Sequence, residues 1–222
     1  MTDELVRQRL ITGLDELELS FSEAQIFQLL AYLQLFVKWN KAYNLSAVRS
    51  VDEMVSRHLL DSLSIAPFLQ RTNSNSNNSS QTKGRRWLDV GSGGGLPGIP
   101  LAIAFPDNEL TLLDSNGKKT RFLFQVKTEL QLALSVVQSR VEDFRPEKGF
   151  DGIFSRAFTS VQGFLTSCQH LVTPGTRFYA MKGQYPQDEL REVAKPFNVE
   201  HCYPVRVPGE AVARHLVVVS HA

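Results

Sequence analysis

Cysteine is scarce: only Cys168 and Cys202 occur in the 222 residues, far apart and with no C-x-x-C spacing. That excludes a disulfide framework and a zinc knuckle, so no metal is expected. Cys168 reads as a small buried hydrophobe. Long apolar runs are missing as well. The longest obvious one, Ile99 to Phe105, is broken by Pro100 and falls short of the roughly eighteen residues a membrane span needs. The first residues carry Asp3 and Glu4 and no apolar segment, so no secretory leader is expected and the cytoplasm is the default location. Neither charge is in excess, since 24 basic and 23 acidic residues give +1. That balance does not by itself point to a nucleic-acid partner. With 42% hydrophobic and 21% charged residues, the composition is that of a folded domain and excludes disorder throughout.

What is present divides the chain in three. Residues 1–71 read as a helical extension. Ser22 with Gln25 has the form of a capping box, followed by Ile26, Leu29, Leu30, Leu33 and Val37 at helical spacing. Ser50 with Glu53 repeats the signature and opens a second helix through about Leu63. Between them lies a basic and aromatic connector, Lys38 to Leu45. Residues 72–84 form a second section, dominated by the Asn/Ser-rich tract of 72–82, which has nothing to bury and is expected to be a flexible loop. Residues 85–222 alternate short strands with helices. Strands are expected at Arg86–Val90, Glu109–Asp114, Leu134–Gln138, Asp151–Ser155, Thr176–Lys182, Asn198–Val207 and Arg214–Ser220, with a clear helix at Lys118–Leu130. This pattern predicts an α/β fold, a mainly parallel seven-stranded sheet covered on both faces. The last two strands, separated by a Pro208-Gly209 turn signal, are expected to pair as an antiparallel hairpin at one edge.

The strongest local signal is Trp87-Leu88-Asp89-Val90 running into Gly91-Ser92-Gly93-Gly94-Gly95-Leu96-Pro97-Gly98. Glycines are needed where the chain turns with positive φ and where a ligand approaches the backbone, and the end of the first parallel strand is where such sheets bind ligands. Gly93, Gly95 and Gly98 fit the dinucleotide pattern G-x-G-x-x-G. Asp89 opposes that reading, because its carboxylate would repel a pyrophosphate and attract a ligand with an ammonium and a sulfonium. S-adenosylmethionine fits that description. Asp114, ending the second strand, either binds a ribose through both hydroxyls or caps the next helix. In Ser139-Arg140-Val141-Glu142-Asp143-Phe144, after the third strand, either an acid bonds an adenine amine with an apolar neighbour packed on the ring, or Glu142 pairs with Arg140 in a solvated loop. Arg156 suits a carboxylate or phosphate, or a structural ion pair. Neither an Asn-Pro-Pro-aromatic motif nor a Pro-Cys nucleophile is present. A nucleophile with a free lone pair, such as guanine N7, remains and needs alignment but no general base.

At this point the chain resembles the RsmG (GidB) family of bacterial small-subunit rRNA guanine-N7 methyltransferases. The resemblance rests on Lys38-Trp39-Asn40-Lys41-Ala42-Tyr43-Asn44-Leu45, Arg57-His58-Leu59-Leu60-Asp61-Ser62, the Gly91 to Pro100 loop, Leu112-Leu113-Asp114-Ser115, Ser155-Arg156-Ala157-Phe158, Met181-Lys182-Gly183 and Arg214-His215-Leu216-Val217-Val218. It implies a class I (Rossmann-like) methyltransferase fold with a helical N-terminal extension, and methylation of N7 of a guanine in 16S rRNA. It also implies cofactor contacts at Gly91, Leu96, Val141, Glu142 and Arg156, which Gly93 and Asp114 join on the loop and strand arguments. No catalytic base is expected, and Arg156 is the candidate active-site residue. Lys38, Lys41 and Arg57 are expected on RNA phosphate, with Trp39 and Tyr43 on its bases. From Lys38 to Arg57 four basic residues face two acidic ones, a local excess hidden in the total. A monomer acting on a partly assembled subunit is expected. Lys182 and His215 receive no role.

Overall fold

The computed structural model describes residues 3–71, 84–156, 158 and 160–221. The Asn/Ser-rich tract at 72–82 therefore lies outside the described residues. Seven strands run at Arg86–Val90 (β1), Glu109–Asp114 (β2), Leu134–Gln138 (β3), Gly152–Ser155 (β4), Arg177–Lys182 (β5), Phe197–Val205 (β6) and Arg214–His221 (β7). They form one sheet in the order β3-β2-β1-β4-β5-β7-β6. The first five are parallel, whereas β7 pairs antiparallel with both β5 and β6. The expected hairpin is present, and β7 lies inside it, between β5 and the edge strand β6. Gly209 turns it with φ +78°, a conformation open to glycine at no steric cost.

Helices at Asp3–Glu16 (α1), Glu23–Tyr43 (α2), Val51–Met54 (α3), Asp61–Leu63 (α4) and Ala66–Arg71 (α5) make up the N-terminal part. Helices at Gly98–Ala104 (α6), Gly117–Glu129 (α7), Val161–Cys168 (α8) and Gln187–Arg191 (α9) follow within the α/β part. The expected Ser22 capping box forms: the Ser22 hydroxyl accepts from the Gln25 N–H, and the Gln25 side chain reaches back to the Ser22 N–H. Ser50 caps α3 by accepting from the Glu53 N–H, without the reciprocal side-chain bond. The segment expected to be helical from Val51 to Leu63 is helical throughout, but a π-helical stretch at Val55–Leu60 interrupts its α-helical turns. Asp61 thereby donates its N–H to Ser56 O, five residues back. Such widened turns gather at functional sites.

The N-terminal helices do not stand apart from the sheet. Leu29, Leu33, Phe36, Leu59 and Leu63 share one core with Leu112, Phe122 and Leu123, on the face covered by α6 and α7. The opposite face buries Val90, Ile153, Phe178 and Val217 beneath Phe164 and Leu165 of α8. Residues near β1 and β4 thus lie between two cores. In strand order the chain reverses direction across the sheet between β1 and β4, which opens a crevice at their carboxyl ends.

Candidate cofactor and acceptor site

The glycine loop leaves β1 at that crevice. Gly91, Gly93 and Gly95 all have positive φ, at +70°, +59° and +89°. Gly93 is the open one: an added Cβ would meet only Gly91 O at 3.8 Å and Lys119 Nζ at 4.0 Å. Its N–H donates to Asp114 Oδ2 at 2.9 Å, and the Asn116 N–H donates to Asp114 Oδ1 at 2.8 Å. Asp114 is therefore fixed at the end of β2 with lone pairs to spare, as a carboxylate has about four acceptor sites. It is not the cap of α7, because Asn116 accepts from Lys118 N and Lys119 N. That removes one of its two sequence readings.

Asp89 sits under the loop and is 1% exposed. Its Oδ2 accepts from the Gly98 N–H at 3.0 Å, at the start of α6, while Oδ1 is buried without a hydrogen-bond partner. Burial pushes the carboxyl from 3.8 up to about 7, against the opposing pull of the Gly98 N–H. Gly98 is needed for this approach, since a Cβ there would lie 2.2 Å from Leu112 Cδ2 and 2.7 Å from Asp89 Oδ2. The third glycine of the pattern thus serves helix-to-strand packing. The helix N-terminus that would hold a pyrophosphate in a dinucleotide fold is taken by a carboxylate. A buried orphan acceptor at the base of the loop fits a ligand with a cationic group.

Gly94 is covered from the N-terminal side. Tyr32 of α2 donates its hydroxyl to Gly94 O at 2.6 Å. A Cβ on Gly94 would lie 2.4 Å from Phe36 Cε2. Both aromatic rings are buried, and the sequence pattern assigns neither to the site. The helical stripe of Ile26, Leu29, Leu30, Leu33 and Val37 passes over both, and the contact to the loop exists only in three dimensions. Leu96 is buried in the same core.

Val141 opens a short turn after β3, with its side chain buried and Glu142 exposed beside it. Among the described residues no ion pair joins Glu142 to Arg140. Arg145 instead donates to the Glu142 carbonyl at 2.7 Å. Arg156, after β4, donates to Arg57 O at 3.2 Å and to Asp61 Oδ2 at 3.0 Å. Arg214 at the start of β7 takes the other oxygen, Nε to Oδ1 at 2.9 Å. Asp61, 4% exposed in its side chain, is thus held between two arginines. These residues, with Arg57, Lys182 and His215, border a pocket of about 300 Å³ between the N-terminal helices and the strand ends. Lys182 pairs with Glu189 at 2.9 Å. Asp61 and Arg214 stand in the family-like motifs without a role, and only the fold brings them together.

The basic connector closes the other side. Lys38, Lys41 and Tyr43 are exposed at the end of α2. Trp39 is partly buried, with Phe122 of α7 at 5.5 Å and Tyr43 stacked on it at 4.9 Å. That packing brings the end of α2 to α7, whose first turn carries Lys118 and Lys119. Arg57 lies apart, at the pocket, with Glu210 at 3.3 Å and Glu53 at 3.7 Å. Cys168 is buried, and burial pushes its thiol far up, so it offers no thiolate. No helix among the described residues is long and apolar enough to cross a membrane, and no group of three potential metal ligands occurs among them.

A mainly parallel sheet, a glycine loop on an acidic base at the β1/β4 crossover and two antiparallel final strands define a Rossmann-like methyltransferase. The glycopeptide N-methyltransferase MtfA, solved in complex with (S)-adenosyl-L-methionine, shares this fold with a TM-score of 0.54 and 13% identity, over 65% of this chain and 84% of that one. The particular family follows from sequence. A family model described as rRNA small subunit methyltransferase G (GidB) matches residues 25–217, and the chain belongs to that family. It is 56% identical over 216 residues to the ribosomal RNA small subunit methyltransferase G of Ectopseudomonas mendocina (strain ymp), covering 97% of this chain and 96% of the relative. It is also 56% identical over 217 residues to that of Pseudomonas aeruginosa (strain LESB58), covering 97% and 94%.

Proposed function

We infer that this protein is an enzyme that methylates N7 of a guanine in 16S rRNA, using S-adenosylmethionine. Membership of the rRNA small subunit methyltransferase G family carries the substrate class. One structural observation supports the cofactor most directly: Asp114 is tied to the Gly93 N–H and retains acceptor capacity beside a loop position where a side chain would find open space. When bound there, S-adenosylmethionine supplies an electrophilic methyl group. Asp114 holds the ribose hydroxyls, Val141 and Glu142 hold the adenine, and Gly91 and Leu96 shape the loop around the ligand. Asp89 gives the site a buried carboxyl whose ionised form favours the cationic end. Arg156 borders both this cleft and the pocket beside it, where the acceptor enters.

The protein's contribution to the chemistry is alignment. Guanine N7 has no proton to lose, so no residue is needed as a base. The helices of residues 1–71 form the RNA side, with Lys38, Lys41 and Arg57 toward phosphate and Tyr43 toward an unpaired base. Trp39 supports Tyr43 by stacking. The enzyme acts as a monomer in the cytoplasm on a partly assembled small subunit. Small subunits from cells lacking the gene should take up labelled methyl from S-adenosylmethionine as N7-methylguanosine, and purified protein that labels neither such subunits nor 16S rRNA contradicts the reading.

A further inference from the structure

The pocket between the N-terminal helices and the strand ends has a distinct chemistry. Ile65, Met181 and Val205, all buried, contribute apolar walls. Its polar surface is rich in donors. Each oxygen of Asp61 faces an arginine, and Lys182 is paired with Glu189, whose Oε2 also accepts from the Val161 N–H. Arg214 commits Nε to Asp61 and one Nη1 hydrogen to Ala213 O. Its Nη2 makes no hydrogen bond among the described residues. The His215 ring meets exposed Tyr185 edge to face at 5.5 Å at the pocket's border.

We propose that this pocket receives the target guanine and that Arg214, oriented by Asp61, reads its O6 and thereby excludes adenine. The proposal rests on the guanine-N7 reading above. Guanine presents O6 and N7 side by side as acceptors, whereas adenine presents an amino donor in place of O6. N7 must keep its lone pair for the methyl group, so recognition falls on O6. An arginine N–H there matches guanine and opposes adenine, donor against donor. A phosphate would also suit the cations, but it has no use for apolar walls, and a purine has two faces to lay on them. Asp61 is a positioning residue: it fixes the planes of Arg156 and Arg214 from the widened turn that ends at Leu60.

Binding of guanosine, inosine and adenosine 5′-monophosphates to protein saturated with S-adenosylhomocysteine, followed by ligand-detected NMR, tests this without relying on turnover. Inosine keeps O6 and N7 and lacks the 2-amino group. In the wild type the first two should bind roughly tenfold more tightly than the third, the low end of what one hydrogen bond from a charged group contributes. Arg214→Lys, which keeps the charge, and Arg214→Met should both bind the three alike, with unchanged affinity for S-adenosylhomocysteine and cooperative melting. Asp61→Asn should reduce the same ratio. Equal binding of the three by the wild type, discrimination that survives in both Arg214 variants, or ribose 5-phosphate binding as tightly as guanosine monophosphate would overturn the assignment. Failure of the parent reading is separately visible as absence of wild-type methyl transfer into subunits. Normal transfer without base discrimination removes the pocket assignment alone.

Discussion

Asp89, next to last in β1, and Asp114, last in β2, lie on neighbouring strands, yet the fold treats them oppositely. Asp114 is satisfied by two backbone N–H groups, whereas Asp89 is deeply buried with one oxygen unpaired. Sequence spacing puts both beside the loop, and the structure adds that the Asp89 carboxylate accepts from the Gly98 N–H at the start of α6. Burial depth is not legible in the sequence, because it depends on Gly98 letting Leu112 and Asp89 close over one another. Asp89 titrates upward, from 3.8 to about 7, so it favours folding below 3.8 and loses that advantage as pH rises toward 7. The ligand-free protein should lose stability from this group across that window, and Asp89→Asn should remove the loss. His58, held at about 4 by burial, has the opposite sign and is common to both proteins. Thermal melts between pH 4 and 7 check the difference between wild type and variant, and parallel curves contradict it. Asp114→Ala removes a ribose acceptor and frees the Gly93 N–H. It should weaken S-adenosylhomocysteine binding by about tenfold or more, on the usual scale of about 1.5–3 kcal/mol for hydrogen bonds to charged groups, as read by calorimetry.

The loop depends on α2 for its shape. Tyr32 and Phe36 hold Gly94 through a hydrogen bond and a close ring contact, so the helical extension buttresses the glycine loop. Tyr32→Phe keeps the packing and leaves the Gly94 carbonyl without that donor. It should cost about 1–3 kcal/mol of stability, as substitutions that strand a buried acceptor do, and weaken S-adenosylhomocysteine binding as well. Denaturant unfolding and calorimetry together check this, and a variant unchanged in both contradicts the buttress. Most elements are legible in the sequence. The strands form where expected, with shifts of only one or two residues at their ends, since short apolar runs alternate with helical periods and turn residues. Two features are not legible. The π-helical turn at Val55–Leu60 has no compositional mark, and the placement of β7 between β5 and β6 depends on which edge accepts it, a choice made by distant pairing.

At the scale of the whole molecule, a net charge of +1 conceals a division of labour. Asp89 and Asp114 gather at the glycine loop, while Lys38 and Lys41 stand exposed at the end of α2 beside the first turn of α7. The Lys38→Ala/Lys41→Ala double variant should raise KM for undermethylated subunits and flatten the salt dependence of binding. The expected change in slope is roughly 0.7 for each phosphate of single-stranded RNA that is no longer neutralised. Its affinity for S-adenosylhomocysteine should be unchanged, and an unaltered salt slope would separate these lysines from RNA binding. Of the candidate site, the loop and its acids are legible because local spacing defines them. The acceptor pocket is not, because Asp61, Arg156 and Arg214 lie far apart in the chain and meet only through the packing of the N-terminal helices on the strand ends. If this chain methylates a guanine N7 in small-subunit rRNA, mapping of N7-methylguanosine in 16S rRNA from cells with and without the gene tests it most directly. One such site should vanish on deletion and return with the wild-type gene but not with Asp114→Ala; a map identical in both strains would contradict the account.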